Sequence, residues 1–428
     1  MSRTSLDEPR LDAEAWLAED DGVVPDIRAP IIGGTGVSSW IECTPRKIEQ
    51  PCRTRPVWQT WPPQFGRAIL GTMSDASVAQ RGRLSPLKSA VAQLSPGYFA
   101  LVMGTGIISV GFKRLGFEAP SWALMIIAVV SYVILWVLFI WRAIAFRPEL
   151  VHDMRDPEKV FAFFTIVAGT DVLAVRLLLD GYSQIAVPLV FAAAALWFVF
   201  GYTLPWQVLM ARDGKPILKR TNGTWFIWAV ASQSLAIGLA QTQPYLSGQA
   251  YWVGILAVLS WSVGVALYMA VALFVMLRVI HHGLTPQQFE PPYWVSMGAL
   301  AIAVVAGVSI VDMASTPMVD AARVIIGGTI VIFWCFAAWS IPMLVGGGVW
   351  RHWVHKIPLT YTPTLWSMFF PLGMFAVASI SLGRIDALPI VEVIGKVSLL
   401  VALVVWCLAG FGMARKIASV LTAMFART

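Results

Sequence analysis

Ten apolar runs, each bounded by polar loops, leave this chain one kind of environment to fold in. They lie near residues 96–112, 120–141, 160–179, 184–210, 223–242, 250–277, 292–311, 321–349, 361–382 and 389–413. A helix needs ~20 apolar residues to cross a hydrocarbon core, and in lipid the backbone must satisfy its own hydrogen bonds. Each run is therefore expected to be a spanning helix in contact with the lipid bilayer. Charge content agrees, because 13% of the 428 residues are charged, against about 25% in a soluble domain. The fold class is all-α integral membrane, with ten transmembrane helices. The net charge of +7 is no nucleic-acid signature, since the basic residues sit in short clusters between runs. Four cysteines are too few for a disulfide framework, and Cys43 and Cys52 lack metal-ligand spacing.

Loop charge sets the orientation. Arg81, Arg83 and Lys88 precede the first run, and Arg142, Arg147, Arg155 and Lys159 follow the second. Arg212, Lys215, Lys219 and Arg220 follow the fourth; Arg278, Arg351 with Lys356, and Arg415 with Lys416 follow the sixth, eighth and tenth. The opposite side has little beyond Lys113, Arg114, Arg176, Arg323 and Arg384. Basic loops stay in the cytoplasm. A multi-pass protein of the cell (plasma or inner) membrane with both termini cytoplasmic is expected. Residues 1–92 read as a disordered cytoplasmic tail, acidic from Asp7 to Asp21 and then broken by proline and glycine up to Gly71. No charged-then-apolar leader opens it. Residues 1–72 are either a mis-called extension ahead of Met73 or a regulatory tail. The membrane domain then covers 93–414, and 415–428 form a cytoplasmic C-terminal tail.

Odd and even runs differ in kind. The odd ones carry small or weakly polar centres: Met103-Gly104-Thr105-Gly106 with Ser109, Ala168-Gly169-Thr170-Asp171, Ala231-Ser232-Gln233-Ser234, and Met297-Gly298-Ala299 followed by Ala306-Gly307 and Ser309. The even ones are richer in Trp, Phe and bulky aliphatics, as in Tyr132 to Trp141 and Ile330 to Trp339. Small residues let helices approach or line a path, and bulky ones face lipid. Five repeated hairpins would put odd helices inside and even helices outside. The alternative is that the glycines mark close helix packing and nothing more.

The ninth run contains Ser367-Met368-Phe369-Phe370-Pro371-Leu372-Gly373. Pro371 has no N–H, so the carbonyl of Ser367 loses its helical partner and a kink is expected. Ser367, Phe370, Met374, Ala378 and Ser381 share one helical stripe. At ~1.5 Å per residue Phe370 falls near the middle of a ~30 Å core. It is either an aromatic plug in a weakly polar path or an ordinary packed ring beside a kink.

Met103-Gly104-Thr105-Gly106, Asn222-Gly223-Thr224-Trp225 with Ser232-Gln233-Ser234, Tyr293-Trp294 with Met297-Gly298-Ala299, and Phe370-Pro371-Leu372-Gly373 resemble the tellurite-resistance/C4-dicarboxylate transporter (TDT) family. TehA, slow-type anion channels, malate permeases and sulfite efflux pumps belong to it. The resemblance runs in matching order from about Leu94 to Ala414. It implies ten helices as five helical hairpins around a central pore, odd helices inside and even outside, in a homotrimer with one pore per subunit. It implies a gate at Phe370, directly before the kink at Pro371. Inner helices of the family carry several proline kinks. Here the ninth alone has one mid-helix, leaving Gly106, Gly169, Gly238 and Gly307 to supply bends.

The candidate pore-lining residues are Thr105, Gly106, Ser109, Gly169, Thr170, Arg176, Ser232, Gln233, Ser309, Ser367, Met374 and Ser381. Weak donors without a ring of acids suit ions that must enter and also leave. The expected function is a channel or permease passing small inorganic or organic anions, in preference to cations, through a pore gated by Phe370. Arg176 is read as a positive charge at the external mouth, or else as an interfacial arginine reaching headgroups. Asp171 is expected to bond to a neighbouring helix, Glu392 to pair with Lys396, and His281 and His282 to be solvated rather than to bind metal. Nothing calls for a cofactor. The alternative function is a proton-coupled C4-dicarboxylate, sulfite or tellurite carrier, with tellurite resistance as its phenotype. Five similar hairpins with one intramembrane acid favour the channel over the carrier. An integral membrane enzyme is a weaker alternative, because the loops hold no paired carboxylates, nucleophile elbow or P-loop.

Overall fold

The computed structural model describes residues 27–33, 36–43, 53–56, 86–210, 216–246 and 248–425. The chain divides into two units, Met1–Leu84 and Ser85–Thr428. In the first, β1 (Ile27–Gly33), β2 (Gly36–Cys43) and β3 (Arg53–Pro56) form an antiparallel sheet in that order, with Ile27 opposite Cys43 and Glu42 opposite Arg53. Disorder is the sequence expectation across 1–92, and these strands and a short helix at Pro86–Ala92 depart from it. Ile31, Ile32, Val37, Trp40 and Ile41 supply strand propensity that the surrounding prolines and glycines obscure. The acidic start, Met73, Arg81, Arg83, Arg212 and Lys215 lie outside the described residues.

The second unit is all-α. Its long helices are α1 (Phe99–Arg114), α2 (Glu118–Ala145), α3 (Phe164–Leu178), α4 (Ser183–Met210), α5 (Phe226–Thr242), α6 (Ala250–His282), α7 (Val295–Val311), α8 (Pro317–Val349), α9 (Trp366–Ile385) and α10 (Pro389–Phe425). Among the described residues nine helices are long and apolar enough to cross a membrane. α1, with 16 residues, falls short of the ~20 a span needs. α10 runs on through Arg415 and Lys416, where a separate tail is expected, because no proline or glycine follows Gly412 to end it.

Consecutive helices pair: α1 packs on α2, α3 on α4, α5 on α6, α7 on α8 and α9 on α10. The odd helices also pack on one another in a closed order, α1 on α3, α3 on α5, α5 on α7, α7 on α9 and α9 back on α1. Burial follows this division. In the spans that contain α3, α5, α7 and α9, 83% to 100% of the most apolar stretch is buried, against 17% to 28% in the even helices. Phe99 to Phe112 of α1 are all buried. The even helices expose Ile126, Val133, Phe198, Trp206, Leu273 and Trp339, the side chains that lipid accepts.

Two features repeat around the ring. Each odd helix is entered through a 3-10 turn, at Pro96–Tyr98, Val160–Phe163, Gly223–Trp225, Pro291–Trp294 and Pro363–Leu365. Each odd helix is also bonded to an aromatic side chain of the even helix preceding it around the ring. Trp406 of α10 donates to Thr105 of α1 at 2.9 Å, and the hydroxyls of Tyr132 on α2 and Thr170 on α3 lie 2.9 Å apart. Trp197 of α4 donates to Ser232 of α5 at 2.8 Å, Trp261 of α6 to the carbonyl of Ala303 on α7 at 3.0 Å, and Trp334 of α8 to Ser379 of α9 at 2.9 Å. Without water in the hydrocarbon an indole N–H must find a protein acceptor. Four indoles and the Tyr132 phenol form a girdle between the two rings.

Candidate functional site

The ring of odd helices encloses a cavity of about 20 Å³, room for roughly one water. α1 lines it with Ile107, Val110 and Arg114, and α3 with Asp171, Val172 and Val175. α5 contributes Ser234 and Ile237, α7 contributes Val305, and α9 contributes Met374 and Val377. All five odd helices line it and no even helix does, which places it on the ring axis. Ile107, Val110 and Arg114 recur at i, i+3 and i+7, so one face of α1 meets the cavity. Phe370, Met374 and Val377 recur at i, i+4 and i+7 on α9. Phe370, 1% exposed, therefore lies one turn before the cavity on the face that enters it.

The glycines of the sequence motifs converge on the Phe369–Pro371 step. A Cβ at Gly104 of α1 would lie 3.4 Å from the backbone nitrogen of Phe370 and 3.5 Å from Cβ of Phe369. One at Gly298 of α7 would come within 2.8 Å of Cγ of Pro371, and one at Gly373 within 2.8 Å of Ile107. Phe369 faces elsewhere, its ring edge-on to Trp366 with centroids 5.3 Å apart. Gly223 answers a different need, since a Cβ there would meet the carbonyl carbon of Pro292 at 2.3 Å.

Most of the predicted pore hydroxyls turn away from the axis. Thr105, Thr170 and Ser232 meet the girdle, and Gln233 donates to the carbonyl of Trp261 on α6 at 3.1 Å. Ser309 accepts from Gln241. Gly106 and Gly169 give α1 and α3 their close approach, to Val172 and to the carbonyl of Phe99. Ser367 is buried but does not line the cavity; Met374 does. Ser381 accepts from Arg114.

Arg176 is fully buried and does not line the cavity. Its guanidinium donates to Ser109 at 2.8 Å, to Ser121 at 2.9 Å and to Asp180 at 2.6 Å, and it lies over the Trp122 ring. The side chain ties α3 to α1 and α2. Burial pushes the Asp180 carboxyl up, but the hydrogen bonds from Lys113 and Arg176 outweigh it and hold the group below its ordinary value. The cation that faces the cavity is Arg114, counted with the loops in the sequence. Its i, i+3, i+7 relation to Ile107 and Val110 is the signal that marks it. Arg384 donates to the Arg114 carbonyl at 2.8 Å. Burial raises the nearby Asp312 carboxyl, and the charges of Arg114 and Arg323 offset part of that rise.

Asp171 bonds across to α5, accepting from the Ser234 hydroxyl at 2.9 Å, and it also lines the cavity. Glu392 pairs with Lys396 at 3.1 Å and with Arg384 at 3.3 Å. His281 and His282 are exposed at the end of α6. Among the described residues no cluster of three or more His, Cys, Asp or Glu could hold a metal.

Residues 93–414 match the sequence profile of the voltage-dependent anion channel family, SLAC1. The chain belongs to that family. It is an anion-transporting membrane protein, and the TDT resemblance of its motifs is the same assignment. An uncharacterized membrane protein of Mycobacterium tuberculosis is 46% identical over 153 residues, 36% of this chain and 78% of that protein. An uncharacterized transporter of Methanocaldococcus jannaschii is 25% identical over 70% of this chain and 86% of its own length. A sulfite efflux pump of Arthroderma benhamiae is 22% identical over 74% of this chain and 89% of its own. For an anion channel family, a closed ring with an axial cavity and a cation at one end of it is an arrangement that can do the work.

Proposed function

We propose that small anions cross the membrane along the axis of the odd-helix ring, and that the Phe370 ring closes that path about half-way. The observation that carries this reading is the axial cavity lined by all five odd helices, entered by the Phe370–Met374–Val377 stripe. Hydrophobic constrictions gate by excluding water, and a cavity with room for one water beside a buried aromatic ring suits a shut path. Arg114, not Arg176, supplies the positive charge on the axis. Apart from Arg114, Asp171 and Ser234 the lining is apolar, so anions are held weakly and can leave.

The unit of function in this reading is a homotrimer with one path per subunit in the plasma or inner membrane, both termini cytoplasmic, acting as transporter and not as enzyme. The substrates considered are chloride, nitrate, sulfite, C4-dicarboxylates and tellurite oxyanions, and the sulfite pump relative puts sulfite first among those to assay. Proton-coupled carriage is the second reading, favoured by one observation, the carboxyl of Asp171 in the cavity wall. Purified protein in liposomes tests conduction directly. Anion flux at rates far above carrier turnover, raised by Phe370→Ala, is the expected result; a preference for potassium or sodium over every anion tested would overturn the reading.

A further inference from the structure

Among the described residues, Asp171 stands apart from the other acids of the membrane unit. It lies midway along α3, is wholly buried, and lines the axial cavity. One carboxylate oxygen accepts from Ser234; the other has no hydrogen-bond partner, and no cation pairs with it among the described residues. Gly238 of α5 leaves that second oxygen its space, since a Cβ there would stand 3.0 Å from it and 3.2 Å from Val190. A buried acid with a purely structural role is expected to carry a full set of partners, as Asp153 and Asp180 do at the ends of the spans.

We infer that Asp171 is a proton-binding site in the anion path, so that an anion occupies the cavity together with a proton on this carboxyl. The inference rests on the axial reading above. In a low-dielectric cavity a bare carboxylate strongly repels an anion beside it, and adding a proton cancels that repulsion. Anion and proton thus favour each other's binding, by reciprocal linkage. The proton comes from water on one side, converts the carboxylate to the acid, and returns to water when the anion leaves. Intramembrane acids of this kind mark proton relays.

No other group facing Asp171 competes for the role. From α1, Arg114 shares the cavity and Lys113 is paired with Asp180 and Glu118. From α2, Tyr132 bonds to Thr170, and Arg142 is held by Asp153 at the other end. α4 and α5 carry no Asp, Glu, Lys, Arg or His. The turns entering α1 and α3 offer Tyr98 alone, and Arg176 on α3 itself is bonded to Asp180. Asp312, near Arg114 at the end of α7, is the acid that a control must exclude.

The test uses the full chain in liposomes, with chloride, nitrate and sulfite as probes. Flux is measured against pH without a pH gradient, and an anion gradient is then applied to vesicles holding a pH dye. The wild type is expected to conduct several-fold faster at acid than at neutral pH, and the inward anion gradient to acidify the lumen. Asp171→Asn keeps an acceptor for Ser234 and is expected to lose both the pH dependence and the dye signal. Asp312→Asn is expected to keep the wild-type profile. Ser234→Ala, which removes the lone donor to the charged form, is expected to move the profile toward alkaline pH, and it serves as the readout if Asp171→Asn does not fold. A flat wild-type profile, a wild-type profile in Asp171→Asn, or an unmoved profile in Ser234→Ala overturns the inference. Absence of anion flux from both the wild type and Phe370→Ala at every pH overturns the conduction reading with it.

Discussion

The two rings of helices solve the membrane problem by opposite means. Even helices turn Ile, Val, Phe and Trp to the lipid and need no close neighbours on that side. Odd helices are buried on almost every side and depend on contacts so close that a methyl group has no room. The difference also sorts their polar groups. Thr105, Thr170, Ser232 and Ser379 meet aromatic donors of the outer ring, which leaves the axis to aliphatic side chains with Arg114, Asp171 and Ser234 as exceptions. Hydroxyls on an inner helix therefore do not by themselves make a polar pore.

Adjacent rings on α9 give the sharpest test of this division. Phe370→Ala is expected to raise anion flux several-fold with assembly retained, because it empties a path. Phe369→Ala is expected to destabilise by ~3–5 kcal/mol with no rise in flux, because it empties a packed site against Trp366. Flux in liposomes and folded yield in detergent read both, and the reverse pattern would show the stripe to be wrong by one residue.

Glycines separate the rings next. Gly298→Ala is expected to cost ~1–3 kcal/mol, since the new methyl meets the Pro371 ring. Gly328→Ala on α8, with nothing within 4 Å, is expected to be neutral or to stabilise by ~0.5–1 kcal/mol. Thermal unfolding of the two variants checks the sign. A single girdle bond matters less. Ser379→Ala strands the indole N–H of Trp334 and is expected to cost about 0.5–1.5 kcal/mol, with Trp334→Phe in the same background adding little further.

The smallest effect belongs to the end opposite Arg114. Asp153 is buried, which pushes its carboxyl up, but hydrogen bonds from Arg142 and Lys159 prevail and hold it below its ordinary value. A carboxyl depressed in the folded state adds stability above its unfolded pKa and loses it as pH falls through the folded one. Through Asp153, unfolding midpoints are expected to change little with pH above about pH 4, and to fall with acid less steeply in Asp153→Asn than in the wild type.

The layout of the rings was largely legible in the chain, because bulk is a one-dimensional property. Small centres in odd runs and tryptophans in even ones mark inside and outside without any knowledge of rotation. Which face of an odd helix meets the axis was not legible, since a helix buried on all sides carries no amphipathic stripe. Polarity alone points Thr105 and Thr170 toward the axis, yet aromatic partners on α10 and α2 claim them. Arg176 reads as a charge at the external mouth, while Ser109 and Ser121, far from it in sequence, and Asp180 converge on it. Arg114 was hidden by its place beside Lys113 at a run's edge. Phe370 was visible because Pro371 fixes attention on the one step where two neighbouring helices present glycine.

The aromatic girdle has a consequence for how the molecule is made. Each bond reaches from an outer helix to the inner helix of the next hairpin, so four of the five form between segments that leave the ribosome one after another. The fifth joins Trp406 of α10 to Thr105 of α1, 301 residues apart in the chain. During synthesis the ring is thus an open crescent, with the flank of α1 exposed until α9 and α10 arrive. A ribosome stalled before α9 would leave that flank to the insertion machinery or to a neighbouring chain. Closure of the ring waits for the hairpin of α9 and α10.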